Sequence, residues 1–490
     1  MPRLQSGAPP TIAAVRLEEL GRVAEGARLV GDGAVEVEEL AYDSRRVEPG
    51  TLFFCVPGEK VDGHEFAAAA VEAGAVALVV ERELSGVDVP QVVVPDARVA
   101  MAPVAARFFG DPTGELKVVG ITGTNGKTTT AFLLREILEA AGRSCGLLGT
   151  VKQVVGGVEE EVERTTPEAI DLQRTFRRML DGGDAACAME VSSHALALHR
   201  CDAIHFAVAL FTNLTQDHLD FHGDMEEYFE SKRRLFEMEP EVGVVNVDDP
   251  YGRRLAEEFD CVTFSAAGGE ADLVAGEVRL TARGVEFTVD GLWVKTGLPG
   301  HFNVANALGA LAAAQALGVE LDAAAEGLAT ALPPPGRFEP VDEGQAFFVL
   351  IDYAHTPDSL ENVLRAARRL GDGRLISVFG AGGDRDRAKR PQMGRAAAEL
   401  SDLAIVTSDN PRSEDPEAIV TEVLAGIDDR GGVEVEVDRR AAIALALSRA
   451  EPGDTVVIAG KGHEQGQEFE NGHKLPFDDR QVAREELRRL

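Results

Sequence analysis

The stretch "GITGTNGKTTT" at residues 120–130 constrains the fold more than any other part of the chain. It follows the apolar run "LKVV" and precedes "AFLLREILEAAG", which has the pattern of a helix. Glycines between a strand and a helix let backbone N–H groups turn inward, and the helix N-terminus adds partial positive charge. The stretch therefore predicts a phosphate-binding loop within an α/β sheet.

This loop departs at one position from the usual motif G-x-x-x-x-G-K-[ST]. Gly126, Lys127 and Thr128 match the motif. Ile121 stands where the first glycine is expected, and Gly123 lies inside the loop instead. Lys127 adds a full positive charge, and Thr128 can bind Mg²⁺. A kinase, a motor and a ligase can all carry such a loop, so the reaction stays open at this point.

The length of 490 residues suggests about three domains. Glycine and proline interrupt the chain at "FFGDPTGELK" (108–117) and at "LPPPGRFEP" (332–340), where neither a helix nor a central strand is expected. We therefore predict domains at 1–112, 113–332 and 333–490. Each of them alternates short β-rich runs with Ala- and Leu-rich helical runs, which indicates an α/β fold with largely parallel sheets.

The charge balance excludes some classes of partner. The chain has 49 basic and 83 acidic residues, a net charge of −34, which should repel nucleic acid and anionic membranes. Its start lacks the pattern of a signal peptide, and no run of about 18 apolar residues could span a membrane. We expect a cytoplasmic protein, and a monomer because no heptad pattern is visible.

The cysteines argue against a disulfide framework and against a zinc site. There are five of them, scattered, and none forms a C-x-x-C pair. We expect reduced and mostly buried thiols.

Acidic and imidazole side chains follow further apolar runs after the phosphate loop. Taken singly, each is more often a structural hydrogen-bonding residue. Together, at strand ends after one phosphate loop, they indicate a Mg²⁺ site beside the terminal phosphate. These candidates lie in "AMEVSSHALALHR" and "LFTNLTQDHLDFHGDMEEYFESKRRLF" and are Glu190, Asp217, His218, Asp220 and His222, followed by Lys232 on a helical stretch.

In the last third of the chain, four apolar runs each end in a polar cluster. If all four are parallel strands, the clusters gather at one edge of the sheet. Both signs of charge are present, which a zwitterionic amino acid requires. The residues concerned are Asp352, His355, Asp384, Arg385, Arg390, Asp409, Arg412, Lys461, His463 and Glu464.

Six motifs in this order make the sequence resemble the Mur ligases, the ATP-dependent amide-forming enzymes of cell-wall synthesis. They are "GTNGKTTT", "MEVSSH", "FTNLTQDHLDFHGD", "GHFNVANALGA", "PGRFEPV" and "DYAHTPDSL". The resemblance covers nearly the whole chain. It implies a smaller N-terminal α/β domain that binds the UDP-linked substrate, a central ATPase domain and a C-terminal Rossmann-like domain that binds the amino acid.

The resemblance also implies how the nucleotide is held. Asn303, Arg337 and Asp352 match contacts to adenine, phosphate and ribose. Thr128 and Glu190 would hold one Mg²⁺, His218 would help hold a second, and Lys232 would act as a carbamate, because a free ammonium repels a metal ion. The remaining residues implied in ATP binding are Gly123, Thr124, Asn125, Gly126, Lys127 and Thr129.

"DNPR" at 409–412 resembles the branch of the family that adds meso-diaminopimelate. Arg412 could pair with the second carboxylate that distinguishes diaminopimelate from lysine, and an unpaired arginine would disfavour lysine by several kcal/mol. The resemblance implies a pocket of Arg390, Asp409, Asn410, Pro411, Arg412, Gly460 and Glu464.

Other positions resemble contacts to the UDP-muramoyl-dipeptide. Leu198 occupies a position where some relatives carry glutamine, which leaves its polar role open. The implied contacts are Tyr42, Ser44, Glu59, Lys60, Val61, Arg164, Thr165, Thr166, Ser192, Leu198 and Arg200.

The implied reaction is phosphorylation of a carboxylate by ATP, followed by attack of an amine on the acyl phosphate. A ligase that adds L-lysine is the nearest alternative. A folylpolyglutamate synthase is more distant, because the chain has a full-length N-terminal domain of the UDP-binding type. An alternative from a different class is a phosphate-loop switch that hydrolyses ATP slowly.

Overall fold

The computed structural model describes residues 13–58, 61–162, 164–281 and 284–490, and the side chain of Asp220 lies outside this description. Glu59 and Lys60, predicted to contact the UDP-linked substrate, also lie outside the described residues. Among the described helices, none is both long and apolar enough to cross a membrane.

Up to residue 112, short strands alternate with helices. These elements are β1 (Val15–Arg16), α1 (Leu17–Val23), β2 (Arg28–Val30), β3 (Glu36–Val37), β4 (Glu39–Ala41), β5 (Thr51–Phe54), α2 (Ala67–Ala73), β6 (Ala75–Val80), β7 (Gln91–Val93) and α3 (Ala97–Phe108).

The alternation continues to residue 332. The elements are β8 (Lys117–Thr122), α4 (Lys127–Ala140), β9 (Cys145–Leu148), β10 (Gln153–Val155), β11 (Val158–Glu160), α5 (Ala169–Asp181), β12 (Ala186–Glu190), α6 (Ser193–Ala197), β13 (Phe206–Phe211), α7 (Leu219–His222), α8 (Met225–Glu237), β14 (Val242–Asn246), α9 (Pro250–Glu258), β15 (Cys261–Ser265), β16 (Leu273–Val274), β17 (Arg279–Thr281), β18 (Gly284–Val289), β19 (Leu292–Thr296), α10 (Phe302–Ala316) and α11 (Leu321–Thr330).

The last third repeats the same alternation. Its elements are β20 (Glu339–Pro340), β21 (Phe348–Asp352), α12 (Pro357–Ala367), β22 (Leu375–Phe379), α13 (Lys389–Leu400), β23 (Leu403–Val406), α14 (Pro416–Leu424), β24 (Val433–Val435), α15 (Arg439–Arg449), β25 (Thr455–Ala459), β26 (Gly466–Glu468), β27 (Lys474–Pro476) and α16 (Asp479–Leu487).

The chain divides into two compact units. The first comprises Met1–Thr122, Gly142–Ala209 and Ser231–Val242, and the second comprises Gly123–Ala141, Leu210–Glu230 and Gly243–Leu490. This division does not test the domain boundaries at residues 112 and 332, which stay predictions.

In the first unit, one sheet has the strand order β2-β7-β6-β5-β4, in which β4 to β7 are parallel and β2 is antiparallel. Apolar side chains from these strands, such as Leu52 and Phe54, pack in one core with Met101 and Phe108 of α3. Strands β9, β12 and β8 of the same unit are parallel neighbours, and Glu190, the last residue of β12, pairs with Ile121.

The second unit contains a six-stranded sheet in the order β20-β21-β25-β22-β23-β24. All its neighbouring strands are parallel except β20, which is antiparallel to β21. Leu350 packs in one apolar core and its neighbour Ile351 in another, so both faces of the sheet are covered. The prediction that the four polar clusters follow parallel strands is confirmed.

Candidate functional site

The phosphate loop, residues 123–128, lies in the second unit and is braced by residues 212–215. The backbone N–H of Asn125 donates to Asn213 Oδ1 at 2.9 Å, and the Asn125 carbonyl accepts from Thr212 Oγ1 at 2.7 Å and from Asn213 Nδ2 at 3.1 Å. The Thr124 N–H donates to the Asn213 carbonyl at 2.8 Å. These bonds fix the loop before any phosphate is bound.

Two features of the loop match its predicted role. Gly123 has a φ of 146°, and a Cβ there would overlap the hydroxyl of Thr212, so only glycine fits. Lys127 Nζ donates to the carbonyls of Gly123 and Thr124 at 2.9 and 2.8 Å, which keeps the ammonium over the loop. Thr129 is buried in the first turn of α4, the helix that Lys127 begins. The loop presents a cation and a helix N-terminus together, which suits a polyphosphate.

Arg337 reaches the same loop from the chain beyond residue 332. Its Nη2 lies 3.2 Å from Thr128 Oγ1, and its guanidinium lies 4.5 Å from the ring centre of Tyr353. The Nε of Arg337 is buried and has no hydrogen-bond partner among the described residues. A buried donor of this kind fits an anionic ligand such as phosphate.

Asp352 ends β21, and each of its two carboxylate oxygens accepts from a backbone donor. Its carboxylate accepts from the N–H groups of Phe338 at 2.7 Å and Ala354 at 2.8 Å. Burial raises the pKa of Asp352 to about 6, although Arg337 and these hydrogen bonds oppose the shift. The carboxylate therefore shapes the turn that carries Arg337, and its contact with ribose stays a prediction.

Asn303, the predicted adenine contact, is buried near the start of α10. Its Nδ2 donates to the Pro299 carbonyl at 2.7 Å, and its Oδ1 accepts from Asn306 Nδ2 at 2.8 Å. Asn306 in turn lies against Gly126, where an added Cβ would overlap Asn306 Oδ1. The asparagine pair therefore connects the start of α10 with the phosphate loop.

His218 is held at the start of α7 in the second unit. Its φ is 54°, and its Nε2 lies 3.3 Å from Asp217 Oδ2. Burial alone would raise the pKa of Asp217, but the charges of His218, His355 and Lys389 hold it below its ordinary value. A carboxylate kept ionised beside an imidazole has the chemistry of a metal-binding pair, and the metal role of His218 stays a prediction.

In the first unit, Glu190 is a buried carboxylate at the end of its strand. It accepts from the Thr150 N–H at 2.8 Å and from Thr150 Oγ1 at 3.1 Å, and Thr150 Oγ1 lies 3.1 Å from Thr165 Oγ1. Thr166 Oγ1 donates to the Glu190 carbonyl at 2.9 Å and accepts from the Ser192 N–H at 3.1 Å. Of the predicted substrate contacts, Thr166 and Ser192 thus lie at the backbone carbonyl of Glu190, and Thr165 lies beside Thr150, which binds the Glu190 carboxylate.

Glu168 gathers three arginines in the same unit. Its Oε1 lies 2.8 Å from Arg164 Nη1 and 2.9 Å from Arg200 Nη2, and its Oε2 lies 3.4 Å from Arg98 Nη1. Burial lowers the pKa of Arg200, with Arg164 and Arg98 acting in the same direction and Glu168 opposing them. One carboxylate against three guanidiniums leaves excess positive charge, which suits an anionic ligand such as the predicted UDP-linked substrate.

The other predicted substrate contacts lie in the first unit. Tyr42 donates its hydroxyl to Asp171 Oδ2 at 2.7 Å, and burial followed by the charge of Asp171 raises the pKa of Tyr42 well above its ordinary value. Ser44 begins a short 3-10 helix, and Leu198 follows the last residue of α6. Val61 is exposed.

Lys232 lies on α8 within the first unit, and only 1% of it is exposed. Although the basic residues Arg233 and Arg234 follow it directly, α8 turns Lys232 inward. The carbamate itself stays a prediction.

Arg412 lies at the edge where the parallel strands of the second unit end. Its Nε donates to Glu468 Oε2 at 3.2 Å and its Nη1 to the Gly383 carbonyl at 2.6 Å, while its own N–H donates to the Glu468 carbonyl at 3.1 Å. With a φ of 51°, the backbone adopts a left-handed conformation that is uncommon for arginine. These contacts hold the guanidinium fork in one orientation.

A buried polar network stands beside Arg412. The Lys461 side chain is fully buried, and its Nζ lies 2.7 Å from Asn410 Oδ1, 3.2 Å from Glu464 Oε2 and 3.5 Å from Asp409 Oδ1. Burial would raise the pKa of Asp409, but Lys461, Arg439 and His355 hold it below its ordinary value.

The network also constrains its neighbours. Asn410 Nδ2 donates to Glu464 Oε2 at 2.9 Å, and the Pro411 carbonyl accepts from the Glu414 N–H at 3.0 Å. Gly460 has a φ of 120°, and a Cβ there would lie 2.5 Å from Asp409 Oδ2. The structure therefore brings Asp409, Asn410, Lys461 and Glu464 together, as the clusters at the strand ends predicted.

Arg390 differs from the other predicted pocket residues because its side chain is fully buried between carboxylates. Its Nη2 lies 2.7 Å from Glu414 Oε1, its Nη1 lies 2.8 Å from Glu422 Oε2, and its Nη2 also donates to the Gly382 carbonyl at 3.0 Å. This pairing fixes residues 382–383 beside Arg412. A direct contact between Arg390 and an amino acid stays a prediction.

Sequence reasoning missed several residues that hold the predicted ones in place. Asn213 and Asp358 lie inside two of the quoted motifs, so the motifs could have pointed to them. Thr150 and Glu168 carry no comparable signal, because Thr150 binds Glu190, and Glu168 binds Arg98 and Arg200, across distant parts of the chain.

Comparison with known proteins gives matches along most of the chain. The family models "Mur ligase family, catalytic domain", "Mur ligase middle domain" and "Mur ligase, glutamate ligase domain" match residues 36–109, 121–314 and 336–462. Two relatives named UDP-N-acetylmuramoyl-L-alanyl-D-glutamate--2,6-diaminopimelate ligase are each 48% identical. The protein from Streptomyces coelicolor matches over 94% of both chains, and that from Geobacillus thermodenitrificans over 92% of this chain and 95% of its own.

A solved structure with the same name has 32% identity and a TM-score of 0.70, covering 97% of this chain and 99% of its own. The α/β fold with three domains, predicted from the sequence, is thereby confirmed.

Proposed function

Because the chain belongs to the Mur ligase family, whose members are ATP-dependent ligases that form carbon–nitrogen bonds, we propose that it adds meso-2,6-diaminopimelate to UDP-N-acetylmuramoyl-L-alanyl-D-glutamate. The product would be a precursor of peptidoglycan, made in the cytoplasm. The observation that carries this proposal is Arg412, held by Glu468 and Gly383 within the "DNPR" stretch that resembles the diaminopimelate-adding branch.

The proposed reaction has two steps. The terminal phosphoryl group of ATP passes to the side-chain carboxylate of the glutamyl residue, which gives an acyl phosphate and ADP. An amino group of diaminopimelate then attacks the acyl carbon, and the tetrahedral intermediate expels inorganic phosphate and a proton. Activation is needed because an amine cannot displace oxide from a carboxylate.

The phosphate loop would hold the nucleotide for the first step. Lys127 is placed over the loop by two backbone carbonyls, so its charge can meet the negative charge that develops on the transferred phosphoryl group. Arg337, whose Nε has no partner among the described residues, would bind a second phosphate oxygen. Fixed donors of this kind cost no reorganisation during the reaction.

Thr128 and Glu190 are proposed to hold one magnesium ion and His218 to help hold a second, with the carbamate of Lys232 as a further magnesium ligand. Their donor set fits, since carboxylate, carbamate and hydroxyl oxygens suit this hard cation. Bound magnesium would neutralise phosphate charge and draw electron density from the transferred group. Thr150 keeps the Glu190 carboxylate oriented through two hydrogen bonds.

Selection of the amino acid would depend on Arg412. Diaminopimelate carries a carboxylate on its far carbon, which the guanidinium held by Glu468 and Gly383 can bind, whereas lysine offers the guanidinium no carboxylate at that position. Asp409 and Glu464 supply negative charge for an ammonium group of the ligand. The lysine-adding ligase is therefore the alternative to exclude.

The proposal can be tested by following phosphate release and amide formation with ATP, the UDP-linked dipeptide and either amino acid. We expect one amide per ATP with diaminopimelate and at least about a hundredfold lower kcat/KM with lysine. Preference for lysine would overturn the choice of amino acid. ATP hydrolysis without any amide would instead support the slow ATPase switch.

A further inference from the structure

Asp358 lies in the first turn of α12, beyond residue 332, yet its carboxylate reaches the phosphate loop and the segment that braces this loop. Its Oδ2 accepts from Asn125 Nδ2 at 2.9 Å, from Thr215 Oγ1 at 3.0 Å and from Asn362 Nδ2 at 3.2 Å. Asn125 belongs to the phosphate loop, and Thr215 belongs to the segment that braces it. One carboxylate oxygen thus joins three separate parts of the second unit.

A role in capping α12 does not explain this arrangement. Thr356 already caps the helix, because its Oγ1 accepts from the Ser359 N–H at 3.2 Å and the Thr356 N–H donates to Ser359 Oγ at 3.0 Å. An aspartate in the first turn also favours the helix dipole, but that effect needs no contact with other segments. The two bonds from Asp358 to Asn125 and Thr215 point to a role outside its own helix.

The negative charge of Asp358 lies beside the phosphate loop. A carboxylate beside a loop built for polyphosphate repels the ligand, so its presence there must bring a compensating benefit. The backbone of Asn125 is fixed by Thr212 and Asn213, which leaves its side-chain amide as the part that Asp358 orients, through a bond of 2.9 Å against 3.4 Å from the same Nδ2 to Thr215 Oγ1. Holding Nδ2 on Asp358 also sets the direction of the amide oxygen of Asn125.

We propose that Asp358 is a positioning residue for the nucleotide. It ties the helix that follows the Arg337 and Asp352 region to the phosphate loop, so the side chain of Asn125 reaches its binding orientation only when this helix is in place. The inference rests on the proposed function, in which residues 123–128 hold ATP phosphates. It goes beyond that function by naming a residue that couples the C-terminal segment to nucleotide affinity.

The test measures binding of ADP to the full chain by isothermal titration calorimetry. Asp358→Ala should weaken binding about tenfold, since the charge-assisted bond to Asn125 is lost. Asp358→Asn keeps the volume and should lose less. Glu361→Ala is the matched control, because Glu361 lies on the same helix, is half exposed and pairs only with Arg365 among the contacts described, at 3.3 Å. It should bind ADP as the unaltered chain does.

A double-mutant cycle separates positioning from general damage. If Asp358 acts through Asn125, adding Asp358→Ala to Asn125→Ala should weaken ADP binding by less than about twofold. The KM for diaminopimelate should change by less than about twofold in Asp358→Ala. The inference would be overturned if the two substitutions weakened ADP binding independently of each other. It would also be overturned if Asp358→Ala weakened the binding of all substrates equally and lowered the unfolding temperature.

The outcome also distinguishes this inference from the proposed function. An unaltered chain that fails to bind ADP, or forms no amide, would refute the proposed function itself. If the unaltered chain binds ADP and forms amide, and both Asp358→Ala and Asp358→Asn bind ADP as tightly as the unaltered chain, the positioning role alone would be refuted.

Discussion

Replacing Lys461 by methionine tests how the buried charges beside Arg412 are balanced. The substitution keeps the length of the side chain and removes its ammonium group. In the structure this group is fully buried and lies within 3.5 Å of Asn410, Glu464 and Asp409. Without this ammonium, Asp409 loses the largest of the positive-charge contributions that hold its pKa below the ordinary value.

The size of the effect follows from burial. Removing one partner of a buried ion pair typically costs about 3–5 kcal/mol, because the other charge stays buried without compensation. In a domain of this size each kcal/mol lowers the unfolding temperature by about 2–4 °C, so the total loss should be roughly 6–20 °C. The variant should also lose ligase activity, since Asn410 and Glu464 lose their common donor.

Calorimetry of the full chain measures the transition. Lys474→Met is the control, because Lys474 is exposed on β27 and should leave the unfolding temperature unchanged. Adding Asp409→Asn to Lys461→Met should restore part of the loss, since it removes the uncompensated carboxylate. An unfolding temperature for Lys461→Met within about 2 °C of the unaltered chain would show that this network is not the buried charge balance described here.

Three further predictions concern single side chains. Arg412→Lys should raise the KM for diaminopimelate by about tenfold or more, because lysine lacks the fork that binds a carboxylate; an unchanged KM in steady-state assays would exclude the contact. Lys232→Ala should lower kcat by at least about tenfold, with partial rescue by added short carboxylic acids. Failure of rescue, with only unmodified Lys232 in intact-protein mass spectra, would exclude the carbamate. The third concerns Asp352, whose pKa burial raises from 3.8 to about 6. The folded state therefore holds its proton more tightly, and the contribution of Asp352 to stability should fall by about 3 kcal/mol as the pH rises from about 4 to above 6. In Asp352→Asn this fall should be absent in denaturant titrations across that range, and an identical pH dependence in both proteins would contradict it.

Much of the fold follows from local patterns in the sequence. The strand, glycine loop and helix around Gly123 and Lys127 are consecutive, so their arrangement depends on neighbouring residues. The clusters at Asp352 and Asp409 follow apolar runs, and parallel strands necessarily bring such clusters to one edge. These predictions depend on short-range periodicity, which a single sequence carries.

The bracing of the site could not be predicted in the same way. Asn125 is bonded to Asn213 and to Asp358, which are 88 and 233 positions away in the chain. Lys232 stands in a run of basic residues, where the pattern does not indicate which side chain faces inward. The sequence around Arg390 likewise did not predict its ion pairs with Glu414 and Glu422. Such contacts depend on tertiary packing, and short-range patterns in the sequence do not show which distant residues pack together.

The central claim is that ATP activates a carboxylate as an acyl phosphate, which diaminopimelate then captures. It is tested most directly with a UDP-linked dipeptide whose glutamyl side-chain carboxylate carries heavy oxygen. After turnover with ATP and diaminopimelate, mass spectrometry should find one labelled oxygen in each released phosphate and the other in the new amide. Unlabelled phosphate accompanying amide formation would contradict the account.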